Sequence, residues 1–261
     1  MIISDCEKEK FENEGYIIVK DESLADLWCR VDSELSQLVE FVVGRKVDIF
    51  RHSQEEVTVD QQSRIYDQLH YLTSLAAASS NETILSYCKQ LGLSIPVLMG
   101  CCNMRYDRPQ NQKHLFKWHQ DTVYLLGSLN AVTVWIPFSS VNSELGSIAV
   151  IPGSHKNGLR KFKITSDRAT NSGLPFLQRD IELDEAVRTS DEKIISADRG
   201  DLVIFKQMLL HRSVQNMSNQ VRWTAQLRIS DLTCKTYKNN NFKNGDRHNV
   251  FQVSYPGYRH E

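Results

Sequence analysis

Ala131-Val132-Thr133-Val134-Trp135-Ile136-Pro137-Phe138 is an uncharged run dominated by β-branched and aromatic side chains. It has the length and composition of a buried strand rather than of a helix. Comparable stretches lie on either side: Val97–Tyr106, Thr122–Leu126, Ser147–Ile151, Leu202–Phe205 and Trp223–Ser230, each bounded by turn formers. Six or more strands are therefore expected beyond Pro96. Before Pro96 the periodicity is helical. Leu24, Leu27, Val31, Leu35, Leu38, Val39 and Val42 recur at spacings of three and four, and Gly44 stands where a C-cap is expected. Further helical patterns cover Asp60–Ala78 and Asn81–Leu91, the latter with Asn81 as its N-cap.

This order, helices and then strands, predicts a mainly β fold with flanking helices. The expected architecture is a double-stranded β-helix, a cupin-like jelly roll, with an N-terminal helical layer and an interior able to hold a ligand. The reading is one domain over 1–261, with 1–95 as a helical buttress and 96–261 as the β-helix core. Residues 156–197 are polar and lack strand alternation. They are expected to form a lid-like insertion with one short helix around Glu182–Arg188.

The 261 residues carry 31 Lys+Arg against 32 Asp+Glu, interleaved along the chain. A net charge of -1 with no basic patch gives no general attraction to nucleic acid or anionic lipid. No run approaches the roughly 18 apolar residues of a membrane span. Met1–Lys10 has a charged end in place of an apolar signal core, so a cytoplasmic protein is expected. The six cysteines form no CxxC pair and read as reduced thiols. Oligomeric state is not legible.

Lys117-Trp118-His119-Gln120-Asp121-Thr122 sets an imidazole and a carboxylate two residues apart, which on a strand share a face. His211, in Leu209-Leu210-His211-Arg212-Ser213, can supply a third ligand from another strand. Two neutral nitrogens and one anionic oxygen leave octahedral positions open, a set suited to non-haem Fe(II) and its oxygen chemistry. An HxD pair alone is common by chance. Arg222, eleven residues after His211, adds to it, because a guanidinium matches a carboxylate bidentately. Arg228, on the same face of the same expected strand, is the competing candidate.

The ordered set Trp118-His119-Gln120-Asp121, Pro152-Gly153-Ser154-His155, Gly200-Asp201-Leu202-Val203-Ile204-Phe205, His211-Arg212-Ser213, Asn216-Met217-Ser218 and Arg222 resembles the phytanoyl-CoA dioxygenase family of Fe(II)/2-oxoglutarate-dependent oxygenases. The resemblance covers Cys101–Ser230 well and Phe11–Val19 weakly. It implies that His119, Asp121 and His211 ligate iron. Arg222 and Ser213 would then bind the distal carboxylate of the cosubstrate 2-oxoglutarate. Trp135 matches an aromatic position lining the cosubstrate pocket, or else is a core tryptophan of the barrel. Asn103 and Arg105 are candidates to face the cosubstrate, their register being open.

The implied activity is hydroxylation of an unactivated carbon of a small molecule by O2, with release of succinate and CO2. Retention of Asp121 favours hydroxylation over halogenation, by the same resemblance. The alternatives are oxidation of a protein or peptide side chain, and a non-catalytic cupin-like ligand-binding protein. His155 reads as part of a turn. Tyr124, on an expected strand, falls on the face opposite Asp121.

Overall fold

The computed structural model describes residues 2–53, 55–100, 102–111, 115–125, 127–169, 175–183, 191–239 and 241. The elements run α1 (Asp5–Glu14), β1 (Tyr16–Val19), α2 (Ala25–Val43), α3 (Val59–Gln68), α4 (Thr73–Ser79), α5 (Glu82–Gln90), β2 (Pro96–Leu98) and β3 (Asn103–Asp107). They continue with α6 (Thr122–Leu125), β4 (Ala131–Pro137), β5 (Ile148–Val150), β6 (Lys163–Ala169), β7 (Pro175–Asp180), β8 (Lys193–Ile194), β9 (Leu202–Lys206), β10 (His211–Ser213), β11 (Arg222–Asp231) and α7 (Lys235–Asn239).

Two antiparallel sheets form the jelly roll. The larger has the order β1-β9-β4-β11-β2, with β3 also paired to β11, and the smaller is β10-β5-β8. Alternation along each strand of the large sheet divides its side chains between two environments. Leu202, Ile204, Val132, Val134, Ile136, Trp223, Ala225, Leu227 and Ile229 pack outward in one core with Trp28, Val31, Leu35 and Val39 of α2 and with the other helices. Tyr16, Trp135, Val203 and Phe205 point the other way and meet Ile148 and Val150 of the small sheet. The helices thus cover one face, and the other face lines the interior. Alternate positions of β11, namely Arg222, Thr224, Gln226, Arg228 and Ser230, put polar side chains on that interior face.

The helical layer follows its periodicity. α2 buries Trp28, Val31, Leu35 and Val39 on one stripe and ends at Gly44, whose φ of 80° lets its N–H reach the Glu40 carbonyl at 2.8 Å. Asn81 caps α5 by accepting from the N–H groups of Thr83 and Ile84. The expected helix over Asp60–Ala78 is instead α3, a 3-10 turn at Leu69–Tyr71 and α4, broken where Leu72 is extended (φ -61°, ψ 129°).

Three further differences concern strands. The single strand expected over Val97–Tyr106 is interrupted around Gly100 (φ 82°), yet β2 and β3 pair with the same strand, β11. Thr122–Leu126 is not a strand: Thr122–Leu125 form a helical turn in which the Tyr124 N–H donates to the Asp121 carbonyl at 2.9 Å. Leu126 lies outside the described residues. The 156–197 insertion contains a hairpin, β6–β7, and the short β8. Residues 184–190 lie outside the described residues, and with them most of the helix expected at Glu182–Arg188. No helix among the described residues is long and apolar enough to cross a membrane, and Cys6, Cys29, Cys88 and Cys234 are free thiols.

Candidate active site

His119 and His211 face each other across an isolated antiparallel bridge, with His119 N–H to His211 O at 3.0 Å and His211 N–H to His119 O at 3.1 Å. The ring centroids are 4.1 Å apart. Each Nδ1 lies against a carbonyl two residues earlier, His119 at 2.8 Å from Lys117 O and His211 at 2.9 Å from Leu209 O. A carbonyl only accepts, so each ring carries its hydrogen on Nδ1 and presents the lone pair of Nε2 inward. Both Nε2 atoms lie 3.7 Å from Asp121 Oδ1.

Asp121 is not on a strand beside His119, as the spacing suggested. It opens the turn into α6, which brings its carboxylate back toward the histidines. Thr133 on β4 donates its hydroxyl hydrogen to Asp121 Oδ2 at 2.6 Å, and Arg228 Nε lies 3.5 Å from the same oxygen. Oδ2 is thereby engaged and Oδ1 faces the imidazoles. One atom from each of the three residues falls within 4.8 Å of the others, and all three residues are buried.

The electrostatics suit a cation. Burial pushes the His119 imidazole down to about 3, and His211 beside it acts in the same sense. Burial also lowers His211. Burial alone would raise the Asp121 carboxyl, but Arg228, His211, His119 and the Thr133 hydrogen bond outweigh it and hold it well below the usual carboxylate range. At neutral pH the cluster offers two neutral nitrogens and one anionic oxygen, the donor set of a first-row divalent ion with open coordination positions. The Nδ1-to-carbonyl bonds are the outer contacts that fix the orientation of metal-binding imidazoles.

Arg222 opens β11 and is 3% exposed. Its Nη2 meets Asp107 Oδ2 at 2.9 Å, and its Nη1 lies 3.3 Å from Val214 O and 3.4 Å from Ser147 O. Gly146, at φ 79°, makes room for it: a Cβ there would come within 2.9 Å of Nη1. Arg222 Nε, Thr224 Oγ1 and Ser147 Oγ are buried without hydrogen-bond partners. Unpaired donors of this kind beside a buried cation are what a ligand carboxylate satisfies. Ser213 Oγ accepts from Phe116 N–H at 3.1 Å and keeps its own hydrogen to donate.

Asp107 sits between two guanidiniums. Arg105 grips it with Nε at 3.1 Å and Nη2 at 2.9 Å, opposite Arg222. Burial alone would raise its carboxyl; Arg105 and Arg222 more than reverse this and keep it ionised.

Pairing of β3 with β11 sets Asn103 opposite Gln226, Arg105 opposite Thr224 and Asp107 opposite Arg222, so all three face inward. Asn103 is exposed at the rim, away from Arg222. Trp135 is buried on the inner face of β4 among Phe205, Val203 and Ile148. The two arginines weighed against each other occupy different places, Arg222 beside Asp107 and Arg228 beside Asp121.

Tyr124 corrects the strand-based expectation, because the helical turn swings it to the Asp121 side. Its ring stands edge-on to His119 at 5.7 Å, and its hydroxyl accepts from Arg179 N–H at 2.7 Å. Phe116, 5.2 Å from His119, and Phe205, 4.8 Å from His211, complete an aromatic surround. His155 keeps its turn role, with Nε2 3.1 Å from Glu12 O. Thr133, Asp107 and Thr224 were not picked out from the sequence, although a threonine inside the apolar run at 131–138 was a usable signal.

The family model described as phytanoyl-CoA dioxygenase (PhyH) matches residues 11–224. Phytanoyl-CoA dioxygenase 1 of Oryza sativa subsp. japonica is 28% identical over 53% of this chain and 51% of its own. The 1-deoxypentalenic acid 11-beta-hydroxylase of Streptomyces exfoliatus is 31% identical over 38% of this chain and 34% of its own. These alignments thus span about half or less of the curated relatives. In fold, the chain resembles the crystal structure of EctD from S. alaskensis with 2-oxoglutarate and 5-hydroxyectoine. The TM-score is 0.58 at 17% identity, over 88% of this chain and 77% of that one. The match of the family model over most of the chain means that this protein belongs to the phytanoyl-CoA dioxygenase family.

Proposed function

We propose that the chain is an Fe(II)- and 2-oxoglutarate-dependent oxygenase that hydroxylates an unactivated carbon of a small molecule. The observation that carries this reading is the convergence of His119 Nε2, His211 Nε2 and Asp121 Oδ1, with both imidazole tautomers fixed by backbone carbonyls. His119, Asp121 and His211 would hold the iron. When bound, Fe(II) supplies the redox chemistry by which O2, 2-oxoglutarate and a C–H bond become succinate, CO2 and an alcohol.

The residues of the chain bind, orient and exclude. Arg222 receives the distal carboxylate of 2-oxoglutarate, with Arg222 Nε and the hydroxyls of Ser213 and Thr224 as further donors. Trp135 walls the cosubstrate from the side of β4, and Asn103 stands at the rim. Thr133 and Arg228 keep Asp121 Oδ1 turned toward the metal. Phe116, Tyr124 and Phe205 limit water around the ligands, which protects the reactive centre from side reactions. An acid–base residue need not be added to this list, because hydroxylation by this route takes its hydrogen from the substrate carbon.

The test is succinate release by the purified chain with Fe(II), 2-oxoglutarate and O2, alongside an iron-binding titration. Stoichiometric iron binding and succinate formation are expected. Absence of both would overturn the oxygenase reading in favour of a non-catalytic ligand binder. A substrate panel scored by succinate and product mass separates small molecules from peptides.

A further inference from the structure

Two ion-paired groups lie in the barrel interior: Arg105, Asp107 and Arg222 in one, Arg228 and Asp121 in the other. Accepting the oxygenase reading above, on which this inference rests, their charges can be counted. Arg105, Asp107 and Arg222 carry one net positive charge, which the distal carboxylate of 2-oxoglutarate cancels. Asp121 and the other carboxylate of 2-oxoglutarate together cancel the two charges of Fe(II). Arg228 shares its one carboxylate partner, Asp121, with the metal, so the loaded site keeps one net positive charge there and favours an anion.

The contacts of Arg228 point the same way. Nε faces Asp121 Oδ2 at 3.5 Å, and Nη2 donates to Gln226 Oε1 at 2.6 Å. Nη1 is buried with no hydrogen-bond partner. Gln226 and Asp121 thus hold the fork from two sides and leave one end to a ligand. Arg228 and Gln226 are both partly exposed, at the open part of the inner face of β11, whereas Arg222 is shut in. Phe116 and Tyr124, both partly exposed, offer apolar surface on the His119 side.

We infer that the substrate is a monocarboxylate with an apolar body, and that Arg228 reads its carboxylate through Nη1. The apolar body then lies along Phe116 and Tyr124, and the anchored end fixes which carbon faces the metal. Arg228 is in this account a specificity residue for the substrate as well as a support for Asp121.

Octanoate, octanol and octylamine share an apolar tail and differ in head-group charge. Their binding is measured by calorimetry to the full chain loaded with Co(II) in place of iron and saturated with 2-oxoglutarate. Octanoate is expected to bind at least ~10-fold tighter than octanol, with octylamine weaker than both. Arg228→Gln should reduce the octanoate preference to within ~2-fold, and Arg228→Lys, which keeps the charge, should retain part of it. Octanol or octylamine binding as tightly as octanoate, or octanoate failing to bind, overturns the inference, as does an unchanged preference in Arg228→Gln. Failure of the chain to take up Co(II) or 2-oxoglutarate is a separate result, which overturns the oxygenase reading and this inference with it.

Discussion

Thr133 and Asp121 are joined by a 2.6 Å hydrogen bond that crosses from the middle of β4 to the turn before α6. It selects which carboxylate oxygen is left for a metal. In Thr133→Val, similar in shape but without the hydroxyl, Oδ2 loses its donor and the carboxylate can rotate. Loss of such an outer contact lowers metal affinity by about 10- to 100-fold. A Co(II) titration should show this drop with little change in melting temperature.

His119→Ala and Arg222→Ala should separate the two halves of the site. The first removes one of three ligand atoms and should abolish stoichiometric metal binding. The second should keep the metal and weaken 2-oxoglutarate by roughly 1.5–3 kcal/mol, or about 10- to 150-fold, the range for a charged hydrogen-bonding partner. Both are read by titration of metal and of 2-oxoglutarate into the metal-loaded chain. Unchanged 2-oxoglutarate affinity in Arg222→Ala would move the cosubstrate assignment to Arg228.

The Tyr124 hydroxyl ties α6 to β7 of the insertion through Arg179 N–H. Tyr124→Phe removes that bond at a cost of about 1 kcal/mol while keeping the ring beside His119. Hydrogen exchange is expected to quicken in the β6–β7 hairpin and to stay unchanged in β4 and β11. Metal affinity should not move.

His52 is 6% exposed, with Nδ1 2.9 Å from Asp48 O and Nε2 against the Tyr106 hydroxyl. Burial lowers its pKa below the ordinary 6.5. Between that lowered value and 6.5 the unfolded chain binds a proton that the folded chain refuses. Stability from this residue is therefore full above pH 6.5 and declines as pH falls below it. Thermal melts of the metal-free chain from pH 8 to pH 5 should show decreasing midpoints, and His52→Gln should flatten that slope.

The elements legible in the sequence are those whose burial shows in residue type: α2 and α5 carry a one-face helical period, and β4 and β11 are rich in β-branched and aromatic residues. Thr122–Leu125 misleads because its β-branched and aromatic composition is local, whereas its conformation is set by the backbone turn from Asp121. β10 is only His211-Arg212-Ser213, too short and polar to announce a strand. The hairpin β6–β7 is masked by its polar composition. At the site, the cluster of His119, Asp121 and His211 was legible from residue types in order. The separate places of Arg222 and Arg228 were not, since both share one strand face and only cross-strand partners distinguish them.

Asp107, held between Arg105 and Arg222, matters to the chain before any ligand binds. Two guanidiniums in a barrel would repel each other and resist closure during folding, yet the chain must reach its final shape before any small molecule arrives. Asp107 acts as a resident counter-ion that is always at hand. A carboxylate ligand would then enter a site already assembled, and its departure would leave the barrel's charges still paired.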